Sequence, residues 1–94
     1  MDESLRLYRY EMRFFGRVQG VGFRYTAYHA ATSVGATGWV HNEWDGSVLM
    51  QIQGNMGQIS KVVKTIEERI FIGIDRIEKK SIDVDCKEYG FSVR

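Results

Sequence analysis

GRVQGVGFR, residues Gly16 to Arg24, joins a segment of alternating hydrophobicity to a segment of helical periodicity. Residues 8–14 alternate apolar and polar side chains, which predicts a strand with one buried face. After the glycines, apolar residues recur at helical spacing up to Gly35, a residue type that commonly ends helices. These helical residues are Phe23, Ala27, Ala30, Ala31 and Val34. Backbone amides freed by glycine beside a helix N-terminus bind anions, so the junction predicts an anion site.

Arg24 lies near the predicted start of that helix. A cation there opposes the helix dipole at a cost of about 0.3–1 kcal/mol, which suggests a ligand of opposite charge. Taken alone, the glycines would fit an ordinary strand-to-helix turn, and Arg24 would fit a solvated surface position. A phosphate ligand accounts for both features together.

A hairpin is predicted next. Residues 37–42 and 48–53 have strand patterns, and the Asp45-Gly46 pair between them is a strong turn signal. Asn42, taken alone, would fit a turn-forming residue at the end of the first of these strands. Its place at the strand end makes it a candidate for a site as well.

A second helix is predicted between Asn55 and Gly73. Asn55 followed by Gln58 is the sequence pattern of a capping box, and Gly73 is expected to close the helix. The apolar residues at helical spacing are Met56, Ile59, Val63, Ile66 and Ile70.

The remaining residues predict a less regular strand and a short terminal one. Ile77 has the opposite parity to the apolar residues at positions 82, 84 and 86, which predicts a bulge or turn near Lys80-Ser81. Cys86 is then expected in the core, with the aspartates at 83 and 85 on the exposed face. Phe91 and Val93 indicate the terminal strand.

The element order predicts an α+β fold of the ferredoxin-like, split βαβ type, with the chain as a single domain over residues 1–94. We expect an antiparallel sheet of four to five strands with two helices on one face. In this topology the first two strands are parallel and flank the third, so their C-terminal ends share one edge of the sheet. The glycine loop and Asn42 are therefore expected at the same rim.

Composition narrows the function classes. The formal net charge of +1 gives no broad basic field for nucleic acid, and no apolar stretch is long enough to span a membrane. The first four residues lack the pattern of a signal peptide, and a single cysteine excludes an internal disulfide. We therefore expect a cytoplasmic domain that binds neither nucleic acid nor membrane. A small domain with its own core is expected to be a monomer.

Two motifs resemble the signatures of the acylphosphatase family. Residues 15–24 are similar to the first signature and residues 38–54 to the second. The resemblance implies hydrolysis of a small-molecule acyl phosphate without a metal or other cofactor. It implies that Arg24 and Asn42 are catalytic, with Arg24 holding the phosphoryl group and Asn42 positioning the attacking water. The loop residues implied to hold the phosphate through their amides are Arg17, Val18, Gln19, Gly20, Val21 and Gly22.

The chain departs from the family pattern at two places. His41 stands where the family commonly has lysine or arginine, which would change the charge near the site. The segment Ile72-Gly73-Ile74 stands where a Gly-Pro pair is common. Neither departure touches Arg24 or Asn42.

Other interpretations are open at this point. An RNA-binding module of the same topology would need aromatic residues on its central strands, and residues 48–52 have none. A non-catalytic phosphate- or partner-binding module is the main alternative. His29 and His41 lack a third ligand at suitable spacing, so no metal site is predicted. Trp44 in the hairpin turn either packs or borders the site, where it would contact the acyl group.

Overall fold

The computed structural model describes residues 5–94. In these residues five strands and two helices follow one another in the predicted order. The elements are β1 (Tyr8–Arg17), α1 (Phe23–Val34), β2 (Thr37–Asn42), β3 (Val48–Gly54), α2 (Met56–Glu67), β4 (Gly73–Ser81) and β5 (Phe91–Val93).

One sheet contains all five strands in the order β4-β1-β3-β2-β5. β1 and β2 both pair antiparallel with β3, so they run parallel to each other and end at the same edge. The ferredoxin-like α+β fold is thereby confirmed. β5 pairs parallel with β2, which makes the five-stranded sheet mixed rather than purely antiparallel.

The core lies between the helices and one face of the sheet. The alternation in β1 places Met12 and Phe14 on this face, and Phe14 contacts Phe23 of α1 with ring centroids 4.8 Å apart. Each such fully buried side chain contributes about 1.5–3 kcal/mol to folding. The other fully buried large side chains are Val18, Val40, Val48, Met50, Ile52, Val62 and Ile66.

The helix ends follow the predicted capping chemistry with one exception. α1 ends at Gly35 in a left-handed conformation, with φ of 78°. Asn55 and Gln58 form the expected capping box of α2. The prediction that α2 closes at Gly73 is wrong, because the amides of Glu68 and Arg69 already bond to carbonyls of the last helical turn. None of the helices in the described part of the chain is long and apolar enough to cross a membrane.

The segment after β4 also differs from the sequence prediction. Residues 82–90 leave the sheet, so Cys86 is exposed rather than buried in the core, and the predicted strand with alternating aspartates is absent from these residues. The segment is held by Arg9 of β1, whose guanidinium bonds to both carboxylate oxygens of Glu88. The register irregularity of the β1–β4 pair falls at Phe15 and Gly16, not near Ser81.

Candidate active site

The glycine loop is fixed in the core at both ends. Val18 and Phe23 are buried, with 1% and 2% of their surface exposed. Between them Gly20 and Gly22 have φ of 74° and 81°, a left-handed backbone that residues with a Cβ seldom adopt. The loop therefore makes its tight turn at the surface while its two ends stay anchored.

The first turn of α1 has the character of an anion site. Gly22 is the N-cap and supplies no side-chain acceptor, and the turn contains no acidic residue. The first amides of a helix have no partner within the helix, and the dipole favours a negative charge near them. This end of α1 is thus electrostatically suited to a phosphate group.

Asn42 ends β2 at the same edge of the sheet. It pairs with Val48. It lies two residues after buried Val40 on the same strand, so it belongs to the face that carries the helices. His41 belongs to the opposite face, where its Nδ1 lies 2.7 Å from Oε2 of Glu43. The departure from the family pattern at residue 41 therefore lies away from the helix-bearing face.

Arg24 is held in place by the C-terminal strand segment. Its Nη1 donates to the backbone oxygen of Arg94 over 3.1 Å. The amide of Arg94 in turn donates to the carbonyl of Val40 over 2.8 Å, and its guanidinium lies 4.7 Å from the ring centroid of Trp39. One N–H of Arg24 is engaged in this way, and within residues 5–94 its remaining donors are available to a ligand.

These residues form a cleft of about 290 Å³ at the rim of the sheet. Within the described residues 5–94, its lining contains one charged side chain, that of Arg24, and no histidine, cysteine or carboxylate. The lining residues are Val18, Gly20, Gly22, Phe23, Arg24, Tyr25, Asn42 and Val93. The cleft therefore offers positive charge and neutral polar groups but no side chain suited to general acid catalysis.

The structure brings most of the expected site residues together. Val18, Gly20, Gly22, Arg24 and Asn42 line one cleft, as the topology predicted. Three other residues expected to bind phosphate through their amides do not contribute to the lining: Arg17, Gln19 and Val21. Three lining residues were not anticipated: Phe23, Tyr25 and Val93.

Gln19 connects the loop to the hairpin beyond Asn42. Its Nε2 donates to the carbonyl of Glu43 over 2.7 Å and to the carbonyl of Ser47 over 2.9 Å. The side chain does not line the cleft and joins the glycine loop to the loop between β2 and β3. Sequence periodicity carries no signal for this contact, because both acceptors are backbone atoms.

The hairpin itself is closely hydrogen-bonded. The amide of Ser47 donates to Oδ1 of Asp45 over 2.9 Å, and the hydroxyl of Ser47 donates to the same oxygen over 2.6 Å. These two bonds hold the pKa of Asp45 below its usual value, and the bond from the hydroxyl has the larger effect. Trp44 at the tip is 99% exposed and lines no part of the cleft, so it does not border the site in this structure.

No three histidine, cysteine, aspartate or glutamate side chains among the described residues are grouped so as to hold a metal ion. His29 lies on α1 with its ring 4.2 Å from that of Tyr25. His41 is engaged with Glu43 on the other side of the sheet.

The fold and the cleft define a small two-layer α+β domain with a cationic site at one sheet edge. A statistical model of the acylphosphatase family matches residues 10–93. The chain therefore belongs to the acylphosphatase family, as its two motifs predicted, and it is an enzyme of that class.

Individual relatives agree with this assignment. An acylphosphatase of Geobacillus kaustophilus is 42% identical over 79 residues, which cover 83% of this chain and 84% of the relative. An acylphosphatase of Clostridium perfringens is 38% identical over 85 residues, covering 89% and 96%. The crystal structure of acylphosphatase from Bacillus subtilis superimposes with a TM-score of 0.84 at 29% identity, covering 95% of this chain and 99% of that one.

Proposed function

We propose that the protein hydrolyses acyl phosphates to a carboxylate and inorganic phosphate in the cleft between the glycine loop and Asn42. The observation that carries the proposal is the composition of the cleft lining. Among the described residues that line it, Arg24 has the one charged side chain and Asn42 the one side-chain amide. Such a cleft suits a substrate that is anionic and whose leaving group needs no proton.

Binding of the phosphoryl group rests on Arg24 and the start of α1. A guanidinium matches two phosphate oxygens at once, and charge-assisted hydrogen bonds of this kind are about twice as strong as neutral ones. The uncapped amides beside Gly22 add further donors. The contact with Arg94 keeps the guanidinium beside the cleft before a substrate arrives.

Asn42 is the group that positions water. Its carboxamide both donates and accepts hydrogen bonds but is too weak a base to take a proton. The water oxygen attacks phosphorus, the bond from phosphorus to the acyl oxygen breaks, and its electron pair leaves with the carboxylate. The water proton passes to a phosphate oxygen of the substrate. Phosphoryl transfer of this kind depends mainly on positioning and charge stabilisation.

The reaction as proposed uses no metal or cofactor. The carboxylate leaving group is stable when ionised, which fits a lining without carboxylate, histidine or cysteine in the described chain. A monomeric state and a cytoplasmic location remain predictions from the sequence. A non-catalytic phosphate- or partner-binding module would use the same cleft, and turnover separates it from an enzyme.

The deciding experiment is hydrolysis of benzoyl phosphate with and without a metal chelator, by the wild type, Arg24→Ala, Asn42→Ala and the control Arg76→Ala. Arg76 is an exposed arginine on β4, outside the cleft. We expect turnover by the wild type and by Arg76→Ala, and a loss of about 10²–10³-fold or more in each cleft variant.

Inhibition by inorganic phosphate distinguishes the two roles. Arg24→Ala should lose affinity for phosphate, whereas Asn42→Ala should keep that affinity and lose kcat. A folded wild-type protein that binds phosphate but does not turn over benzoyl phosphate would favour the binding module. Activity abolished by the chelator would contradict the metal-independent reaction.

A further inference from the structure

A second groove lies directly beside the phosphate cleft. Gly22 and Tyr25 line both, so the two depressions are continuous across the first turn of α1. The far wall of the groove is formed by Arg69, Ile70 and Phe71, which follow α2.

Ile70 and Phe71 occupy the two corner positions of a tight turn. The amide of Ile72 donates to the carbonyl of Arg69 over 3.2 Å, which closes the turn around them. Corners of such turns favour glycine, asparagine, aspartate and proline. Here they carry two large apolar side chains that are 87% and 72% exposed. Burial in the core therefore does not explain their presence.

Tyr25 extends this apolar surface to the cleft. Its side chain is 70% exposed, although it belongs to the first turn of the helix that carries Arg24. Single exposed apolar residues are common, but a contiguous exposed set marks a binding surface. The acidic Glu68 and basic Arg69 both line the groove, so it has no net formal charge from these two residues.

We propose that this groove binds the acyl group of the substrate and favours uncharged apolar acyl groups, aromatic ones in particular. The inference rests on the proposed function, since only a phosphate bound beside Arg24 places an acyl group here. One bridging oxygen joins the acyl carbon to phosphorus, so the acyl group must begin at the mouth of the cleft. From there Tyr25 leads to Ile70 and Phe71. A benzoyl ring extends further from phosphorus than an acetyl group and exposes more apolar surface, so it should gain more from this groove.

The test compares kcat/KM for benzoyl phosphate and acetyl phosphate in the wild type, Phe71→Ala and Ile70→Ala. We expect the benzoyl-to-acetyl ratio to fall about five-fold in Phe71→Ala, which corresponds to about 1 kcal/mol at about 1.4 kcal/mol per tenfold. A smaller fall is expected for Ile70→Ala. These side chains are exposed, so the variants should fold.

Two further aromatic residues serve as matched controls. Tyr89 is 98% exposed on the segment before β5, and Tyr89→Ala should keep the wild-type ratio. Trp44→Ala tests the tip of the hairpin loop that follows Asn42, where an acyl contact was considered from the sequence. A ratio that falls in Trp44→Ala and not in Phe71→Ala would overturn the proposal.

The outcomes separate this inference from the proposed function. If the wild type hydrolyses neither substrate, both fail. If it hydrolyses both and Phe71→Ala leaves the ratio unchanged, only the acyl groove fails. The groove could instead bind a second copy of the chain. Sedimentation velocity of the same proteins tests this alternative by measuring their oligomeric state. A wild-type dimer that Phe71→Ala dissociates, with no change in the ratio, would also overturn the proposal.

Discussion

The side-chain amide of Gln19 donates to the backbone carbonyl of Glu43 over 2.7 Å. This bond joins the glycine loop to the residue that directly follows Asn42. A second bond from the same nitrogen reaches the carbonyl of Ser47 over 2.9 Å, so one side chain contacts both ends of the loop between β2 and β3. The distance between the bound phosphate and the water held by Asn42 therefore depends on Gln19, in the proposed reaction.

Replacing Gln19 by methionine should lower kcat more than phosphate affinity. The substitution keeps the length of the side chain and removes the hydrogen-bond donor. Each lost hydrogen bond should lower the free energy of unfolding by about 0.5–1.5 kcal/mol. In the proposed reaction phosphate binding relies on the loop and Arg24, which remain in place, whereas the alignment with Asn42 is relaxed. We expect kcat to fall about ten-fold, since misplacement by about 1 Å can cost 10²-fold. Steady-state kinetics with phosphate as inhibitor measures both quantities.

Gln58 provides the matched control for that variant. Its Nε2 also donates to a backbone carbonyl, that of Val34 over 2.7 Å, but it joins the two helices away from the cleft. Gln58→Met should lower the melting temperature and leave kcat unchanged. If both variants lower stability and neither changes kcat, Gln19 is only a structural residue.

Replacing Arg24 by lysine should show the value of the guanidinium fork. Lysine keeps the positive charge but binds phosphate as a point charge, and it lacks the planar fork that lets Arg24 contact Arg94 while other donors face the cleft. We expect kcat/KM for benzoyl phosphate to fall about 10²-fold and protection by phosphate against thermal unfolding to shrink. Arg76→Lys on β4 should change neither. Full activity of Arg24→Lys would mean that charge alone suffices.

The rim that holds the site was predictable because its causes are local. Three local signals, each spanning a few residues, were sufficient: the alternation in β1, the glycines of the loop and the Asp45-Gly46 turn. The topology then brings Asn42 beside the loop. The contribution of Val93 was not predictable in this way. It depends on β5 pairing parallel with β2, a contact between segments far apart in the chain.

The errors about the end of α2 and about the strand after β4 share one origin, a hydrophobic periodicity that continues past the true end of the element. Ile70 stands at helical spacing from Ile66, so periodicity extends α2 past its true end at Glu67. Periodicity also assigns residues 82–86 to a strand, whereas Glu88 is drawn to Arg9 across 79 residues of sequence. Neither a turn of apolar residues nor a distant ion pair leaves a periodic signal.

The Arg9–Glu88 pair should stabilise the fold without affecting catalysis. Arg9 is 6% exposed and also donates to Gln51 and Gln53, and its contact with Glu88 raises the pKa of the guanidinium against the effect of burial. Arg9→Met leaves the Glu88 carboxylate, which is 13% exposed, without its partner, and this should lower the free energy of unfolding by about 1.5–3 kcal/mol. Chemical denaturation measures this, and kcat at a temperature where the variant is folded should equal that of the wild type.

A double variant shows whether the loss comes from the unpaired charge. Arg9→Met combined with Glu88→Leu removes both charges, and replacing a buried pair by apolar residues is often nearly neutral. We expect the double variant to recover a large part of the stability lost in Arg9→Met. If the stability loss of the double variant equals the sum of the losses of the two single variants, the Arg9–Glu88 pair is not the cause of the loss.

Stability in acid should depend on Glu11, on the face of the sheet away from the helices. Its Oε1 accepts a hydrogen bond from Gln51 over 3.0 Å, and its Oε2 lies 3.3 Å from Nζ of Lys80. The hydrogen bond from Gln51 is the largest cause that lowers the pKa of Glu11 below its usual value, and Lys80 adds to the effect. A lowered pKa in the folded state stabilises the protein above the unfolded-state pKa, about 4.3, and this contribution is lost as pH falls through the folded-state value.

Glu11→Gln should therefore flatten the dependence of unfolding free energy on pH below about pH 5. The change is expected to be below about 1 kcal/mol, since Glu11 and Lys80 are both partly exposed to solvent. Urea denaturation of the two proteins at intervals from pH 6 to about pH 3 measures the slope. Glu67→Gln, an exposed position on α2, is the control and should follow the wild-type curve. Parallel curves for Glu11→Gln and the wild type would show that the Gln51 and Lys80 contacts do not favour the charged carboxylate.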